Sequence, residues 1–228
     1  MGWRDVPVAA LGAARVWSPE APADRLLVAH DGPEYDRCAG LGKFVATAVE
    51  SGRIGPLHLA LLPADDRNER YSASPAYAKL LTSEVLPLLV AAVGARRAVV
   101  GIGASLGALA LLHAQRRSPA AFAGLFLQSG SFFQPRFDAQ ESGFARYPRI
   151  VRFTGRVLRA GRGRAPVPIT MTCGTAEENL ANNRSMAGCL RGQGYDVTFA
   201  ECAGGHDWDA WRDALDPHLT SLLQRVWP

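Results

Sequence analysis

Short apolar runs alternate with longer stretches of mixed polarity along almost the whole chain, and the runs stop at Gly, Pro or Asp. Leu26–His30, Leu57–Leu62, Ala98–Ile102, Phe122–Leu127, Val167–Thr172 and Asp196–Ala200 have the length and composition of strands buried in a parallel sheet. An opening strand is expected around Val8–Trp17. Between these runs the apolar spacing fits helices over Arg37–Glu50, from Ser74-Pro75 through Val93 to a stop at Gly94, and directly after Ser105. Ser followed by Pro opens helices because Ser caps free N–H groups and Pro has none to satisfy. A further helix is predicted from about Glu178 to Gly192 or Gly194, and an amphipathic one runs to Val226. Strand and helix in alternation predict an α/β fold with a mostly parallel central sheet. With no repeat, low-complexity tract or linker, residues 1–228 read as one domain, and 134–164 reads as a short Arg-rich lid inserted between two strands.

Composition narrows the class. A chain of 228 residues, 48% hydrophobic and 20% charged, can bury its own core, which excludes a disordered or fibrous protein. Every apolar run is broken by Arg, Asp, Pro or Gly, so no membrane span is expected. The first residues lack the basic-then-apolar plan of a signal peptide, and Val6 stands where a myristoylation site needs Ser or Thr. A cytoplasmic location is the expectation. The four cysteines (Cys38, Cys173, Cys189, Cys202) are scattered, the pattern of buried free thiols rather than zinc ligands. A net charge of +4 does not by itself imply nucleic acid. Its basicity is concentrated, with Arg146, Arg149, Arg152, Arg156, Arg159, Arg162 and Arg164 in one segment.

The densest chemical signal is Gly103-Ala104-Ser105-Leu106-Gly107, set between an apolar strand and an apolar helix. Gly-x-Ser-x-Gly in that context is a nucleophile elbow: the turn is so tight that flanking side chains collide, and the serine hydroxyl stands above the sheet. A plain glycine-rich turn is the alternative. Of five histidines, His58 falls in a strand, His113 in a helix and His218 in the last helix, while His30 precedes a turn. His206 stands in the loop Gly204-Gly205-His206-Asp207 after the last strand, where a general base is needed and packing demands no histidine. Glu177 follows the strand ending at Thr172 and is the candidate acid, with Glu178 its competitor. Asp207 is expected to orient its own loop. The oxyanion is assigned to the Leu106 N–H and, from the Asp-Gly-Pro turn after the first apolar run, to the Gly32 N–H, since Pro33 has none. Asp31, Phe132, Phe133 and Trp208 are expected to contact substrate, with Phe137, Phe144, Tyr147 and Trp211 nearby.

These segments together resemble the putative-esterase family of α/β-hydrolases, and within it the enterochelin (siderophore) esterase branch. The matching pieces are His30–Tyr35, Arg67–Tyr71 with Glu84–Pro87, Gly103–Gly107, Gln128–Phe133, Cys173–Arg184 and the string His206-Asp207-Trp208-Asp209-Ala210-Trp211-Arg212. The resemblance implies a single-domain serine hydrolase with Ser105 as nucleophile, His206 as base and an acid near Glu177. Some members of the family look like Ser–His dyads. Two departures stand out: Ala108 replaces the Gly that often follows the elbow, and the chain has no room for the separate N-terminal domain of full-length enterochelin esterases.

Residues and resemblance together predict a serine carboxylic-ester hydrolase acting through an acyl-enzyme on a small-molecule ester. No metal or organic cofactor is called for, and neither nucleic acid nor membrane is an expected partner. The arginines form either a solvated lid face or a basic rim that would draw anionic or siderophore-like esters. Two alternatives stay open: an acyltransferase of the mycolyltransferase type using the same acyl-enzyme, and a non-catalytic binding protein that keeps the fold.

Overall fold

The computed structural model describes residues 2–163 and 165–228; Met1 and Arg164 lie outside the described residues. In place of one opening strand over 8–17, the chain starts with an antiparallel hairpin of β1 (Gly2–Pro7) and β2 (Ala13–Ser18), turned by a short 3-10 segment at Ala9–Leu11 and by Gly12 at φ +82°. Then come β3 (Leu26–Ala29), α1 (Gly32–Ala39), α2 (Leu41–Glu50), β4 (His58–Leu61) and α3 (Arg67–Tyr71). The helix expected over 37–50 is two helices because Gly40, at φ +63°, leaves the right-handed region between them. Next are α4 (Pro75–Leu80), one π turn at Leu81–Val85, α5 (Leu86–Val93), β5 (Val99–Ala104), α6 (Leu106–Arg117) and β6 (Phe122–Gln128). The chain finishes with α7 (Tyr147–Arg159), β7 (Ile169–Gly174), α8 (Leu180–Gly192), β8 (Val197–Cys202), α9 (Trp208–Asp213) and α10 (His218–Val226), where one final helix is predicted.

All eight strands form one sheet in the order β1-β2-β4-β3-β5-β6-β7-β8. β2 runs antiparallel to both its neighbours, and every pair from β4 to β8 is parallel. Burial explains the sequence pattern. β2 alternates exposed and buried positions in its first half, whereas β3, β4 and β5 are buried at every position. One face is covered by α3 to α8, through residues such as Tyr71, Leu81, Leu109, Ile150 and Met186. The other is covered by α1, α2, α9 and α10, through Tyr35, Val45, Trp211 and Leu222.

The α4–α5 unit, Pro75–Val93, is long and apolar enough to cross a membrane by length and composition, which the broken apolar runs did not suggest. In this fold Tyr77, Ala78, Leu81, Val85, Leu86 and Leu89 from it are buried in the core. Cys173 is buried, and Cys38, Cys189 and Cys202 are half-buried; all four are free thiols.

The strand order reverses at β3 and β5: the chain leaves β3 toward β4 on one side and β5 toward β6 on the other. A crevice opens at the carboxyl ends of such a pair. The ladder there is even: His30 N–H donates to Ile102 O (2.9 Å), Ser105 N–H to Gln128 O (2.8 Å) and Ser129 N–H to Thr172 O (2.8 Å). The residues that follow β3, β5, β6, β7 and β8 are therefore delivered to one edge of the sheet.

Candidate active site

Ser105 bridges β5 and α6 at φ 55°, ψ −121°, a conformation that costs a non-glycine residue about 1–3 kcal/mol. The flanking glycines make the turn possible. A Cβ on Gly103 would lie 2.7 Å from the Gly107 carbonyl carbon, and one on Gly107 would lie 3.2 Å from His30 Cβ. Leu106 begins α6, so its N–H is one of the donors that a helix leaves unpaired at its start, and the helix dipole adds positive potential there. Ser105 Oγ lies 3.1 Å from Ser131 Oγ.

His206 follows β8 in a loop opened by Gly204 at φ +117°, and its Nδ1 lies 2.7 Å from Glu177 Oε2. The Glu177 side chain is 1% exposed, against 40% for His206. Its other oxygen, Oε1, accepts from the Gly174 N–H (2.7 Å) and the Ser129 hydroxyl (2.6 Å), and that hydroxyl in turn accepts from Trp211 Nε1 (2.9 Å). A carboxylate so fully hydrogen-bonded fixes the imidazole with its proton on Nδ1 and leaves Nε2 bare. Of the two candidate acids, Glu177 is the one brought to His206. Glu178 is exposed and accepts from Gln140 Nε2 (3.0 Å). Asp207 caps α9, accepting from the Ala210 N–H at 2.9 Å.

Ser105 and His206 share two adjoining cavities, of about 440 and 490 Å³. Phe133, Phe144, Ser131, Glu141 and Glu178 line the first. Asp31, Glu34 and Trp208 line the second, and Arg67 reaches both. Arg67 forms a two-pronged ion pair with Asp31 (2.8 and 2.9 Å). Burial raises the Asp31 pKa while the Arg67 guanidinium pulls it back down. Asp31, Phe133 and Trp208 thus lie where substrate contacts are expected. His30 does not: it is buried, its Nε2 lies 2.6 Å from the Tyr77 hydroxyl, and burial together with Arg67 lowers its pKa to about 3.

Three expectations are corrected. Gly32 is not a free oxyanion donor, because its N–H donates to Leu62 O at 2.9 Å, beyond the end of β4. Phe132 is fully buried in the core rather than in a cavity, packed so close that a Cβ on Gly130 would lie 2.2 Å from its ring. Among the described residues the arginine segment follows the solvated-face alternative and does not rim the site. Arg146 and Arg149 clamp Glu69, each at 2.5 Å, and the outer face of α7 turns Arg152, Arg156 and Arg159 to solvent. Burial of Ile150, Phe153, Thr154 and Val157 decides which way that helix faces.

The family model for esterases, described as Putative esterase, matches residues 15–222. The chain belongs to the Putative esterase family. Within 54 residues it is 39% identical to an acetyl esterase of Caldicellulosiruptor saccharolyticus, a stretch covering 24% of this chain and 20% of that protein. The enterobactin esterase of Shigella flexneri, solved in the presence of 2,3-di-hydroxy-N-benzoyl-glycine, superposes with a TM-score of 0.81 at 21% identity. That match covers 100% of this chain and 61% of the Shigella protein, so the chain spans less than two thirds of that relative's length. A ferulic acid esterase superposes with a TM-score of 0.74 at 16% identity, over 100% of this chain and 98% of the other. At these identities the likeness is one of fold.

In this family member Ser129, Ser131 and Arg67, with Glu34 and Glu141 of the cavity walls, stand at the site without having been assigned a place in it from sequence. Ser129 and Ser131 lie in the Ser-Gly-Ser run after β6, and Arg67 lies at the start of α3. A polar, glycine-hinged run directly after a buried strand is the signal that points to the two serines.

Proposed function

We propose that the chain hydrolyses carboxylic esters through an acyl-enzyme on Ser105. The observation that carries this reading is the convergence of the strained elbow serine and of His206, paired with the buried Glu177, on one cavity. Ser105 turns from Ser131 toward His206 as substrate enters, since apo hydrogen bonds at such sites commonly tighten only with substrate bound. Its oxygen attacks the ester carbonyl carbon while its proton passes to His206 Nε2. Glu177 stabilises the imidazolium and holds the ring's tautomer. The Leu106 N–H faces the oxyanion. Collapse breaks the bond to the leaving alkoxide, which takes the proton from Nε2. Water then attacks the acyl-enzyme by the same route and releases the acid and Ser105.

The cavity lining supports an aromatic, hydroxyl-bearing acyl group. Phe133, stacked on Tyr147 with centroids 5.8 Å apart, and Phe144 offer apolar walls, and the carboxylates of Glu141 and Glu178 can accept from hydroxyls. An anionic preference finds less support, because the Arg67 charge is matched by Asp31 and the other nearby charges are carboxylates. The structural likeness to an enterobactin esterase and to a ferulic acid esterase agrees with a hydroxyaryl ester.

A fluorophosphonate probe followed by mass mapping tests the nucleophile, alongside p-nitrophenyl acetate turnover. Labelling at Ser105, with label and turnover both lost in Ser105→Ala, is expected. Folded wild-type chain that takes no label overturns the reading in favour of a binding protein. For the substrate class, methyl hydroxycinnamate is expected to be cleaved faster than the monomethyl ester of a dicarboxylate, and the reverse order refutes it.

A further inference from the structure

An oxyanion hole works through two or more donors aimed at one point, and this chain is short of one. The loop after β3, the usual source of the second backbone donor in a sheet of this order, has none to give from His30, whose N–H donates to Ile102 O (2.9 Å), through Pro33. Asp31 N–H donates to the Tyr71 hydroxyl (3.3 Å), Gly32 N–H donates to Leu62 O (2.9 Å), and Pro33 has no N–H. Leu106 N–H remains. Beside Ser105 and Leu106, a side-chain hydroxyl lines the same cavity.

Ser131 is 3% exposed and lines the cavity, and its Oγ lies 3.1 Å from Ser105 Oγ. The oxyanion of a tetrahedral adduct is two bonds from Ser105 Oγ. A hydroxyl at this distance from Oγ therefore falls within reach of the roughly 2.7–3.1 Å at which oxyanion donors act. The loop carrying it is held on several sides. Ser131 N–H donates to Ser105 O (3.2 Å), Asn183 accepts from Gly130 N–H (3.0 Å) and donates to Gly130 O (2.9 Å), and Asn179 donates to Ser129 O (3.2 Å). Asn183 is itself fully buried. A donor fixed before substrate arrives needs little reorganisation as charge develops, which is what makes such donors effective. The hydroxyl can also rotate, accepting from Ser105 in the resting site and donating once that proton has gone to His206.

We propose that Ser131 is a catalytic residue whose Oγ–H supplies the second hydrogen bond to the oxyanion, replacing the backbone donor absent from the β3–α1 loop. The proposal rests on Ser105 as nucleophile. Its test uses Ser131→Ala, with Ser131→Thr keeping the hydroxyl and Ser131→Cys offering a weak donor in similar volume should the alanine variant not fold. Two readouts are compared: kcat/KM for p-nitrophenyl acetate, and the affinity of a trifluoromethyl ketone, which forms an oxyanion on the nucleophile without turnover. Loss of one donor is expected to lower kcat by roughly 10²-fold. Ketone affinity should fall in parallel, with KM little changed and Ser131→Thr close to wild type. Unchanged rate and affinity overturn the proposal. So does a rate loss with full ketone affinity, which would make Ser131 a holder of the Ser105 rotamer alone. Wild-type chain that neither labels with fluorophosphonate nor turns over ester overturns this inference and the hydrolase reading together, whereas labelled, active wild type with an indifferent Ser131→Ala overturns this one only.

Discussion

Glu177→Gln probes the buried carboxylate more sharply than removal of the side chain does. Oε1 sits between two donors, the Gly174 N–H at 2.7 Å and the Ser129 O–H at 2.6 Å, so a glutamine keeps its carbonyl oxygen there and turns its NH2 toward His206. Nδ1 must then accept, and the imidazole proton moves to Nε2, the atom that has to be bare to receive the Ser105 proton. The same change removes the charge facing the imidazolium. Two opposite charges about 4 Å apart interact by about 4 kcal/mol at an effective dielectric near 20. His206 is 40% exposed, and solvent screening reduces that to about 2 kcal/mol. Loss of this attraction alone is about 30-fold in kcat. Adding the wrong tautomer, the expected fall is about 10³-fold with KM nearly unchanged. Glu177→Ala leaves Nδ1 free to keep its proton toward solvent and is expected to fall by less. Initial rates on p-nitrophenyl acetate, with circular dichroism as the folding control, measure both. Folded Glu177→Gln within about tenfold of wild type would refute the reasoning and make the site a Ser–His dyad.

Two glycines make opposite predictions. Gly103→Ala puts a Cβ 2.7 Å from the Gly107 carbonyl carbon and is expected to lose about 2–3 kcal/mol in urea unfolding together with fluorophosphonate labelling, while an unchanged midpoint would refute the close approach. Gly188→Ala, inside α8 with open space around it, is expected to gain about 0.5–1 kcal/mol, and any loss counts against that helix. Stability should also fall on acidification. The pKa of His30 is lowered from 6.5 to about 3 in the fold, so between those values the unfolded chain binds a proton that the folded chain refuses. The stability held above pH 6.5 is then lost as pH drops, by about 1.4 kcal/mol per unit for each such group, and His113, lowered to about 4, acts with the same sign. Urea midpoints between about pH 7 and pH 5 measure the slope, which His30→Gln should reduce; an equal slope in that variant would contradict it.

The placements easiest to read were those set within a few neighbours. Glycines two before and two after Ser105 announce a turn that only small residues allow, and His206 directly follows a glycine pair after a strand. Gly32 misled for the opposite reason. Whether its N–H is free depends on where Leu62, in another strand's loop, comes to rest, and that is a matter of register between distant segments. Phe132 and Phe133 are adjacent and chemically alike, and the direction of the loop after β6 sends one to the core and the other to the cavity. The arginines carried a true charge signal but the wrong facing, which the apolar stripe of α7 decides. Helix breaks at Gly40 and between α9 and α10 show the limits of apolar spacing, which continues across a short interruption that the backbone does not.

The order in which the strands reach the site edge bears on synthesis. Ser105, Ser131 and Glu177 follow β5, β6 and β7 in turn, and His206 follows β8. A chain growing from its N-terminus therefore completes the elbow and Glu177 while His206, the proton carrier of the proposed mechanism, is still unmade. On the proposed mechanism, catalytic competence would be withheld until β8 has joined the edge of the sheet and α9 has closed over Ser129 through Trp211. On that mechanism a nascent or C-terminally clipped chain would carry Ser105 on its elbow without being able to use it.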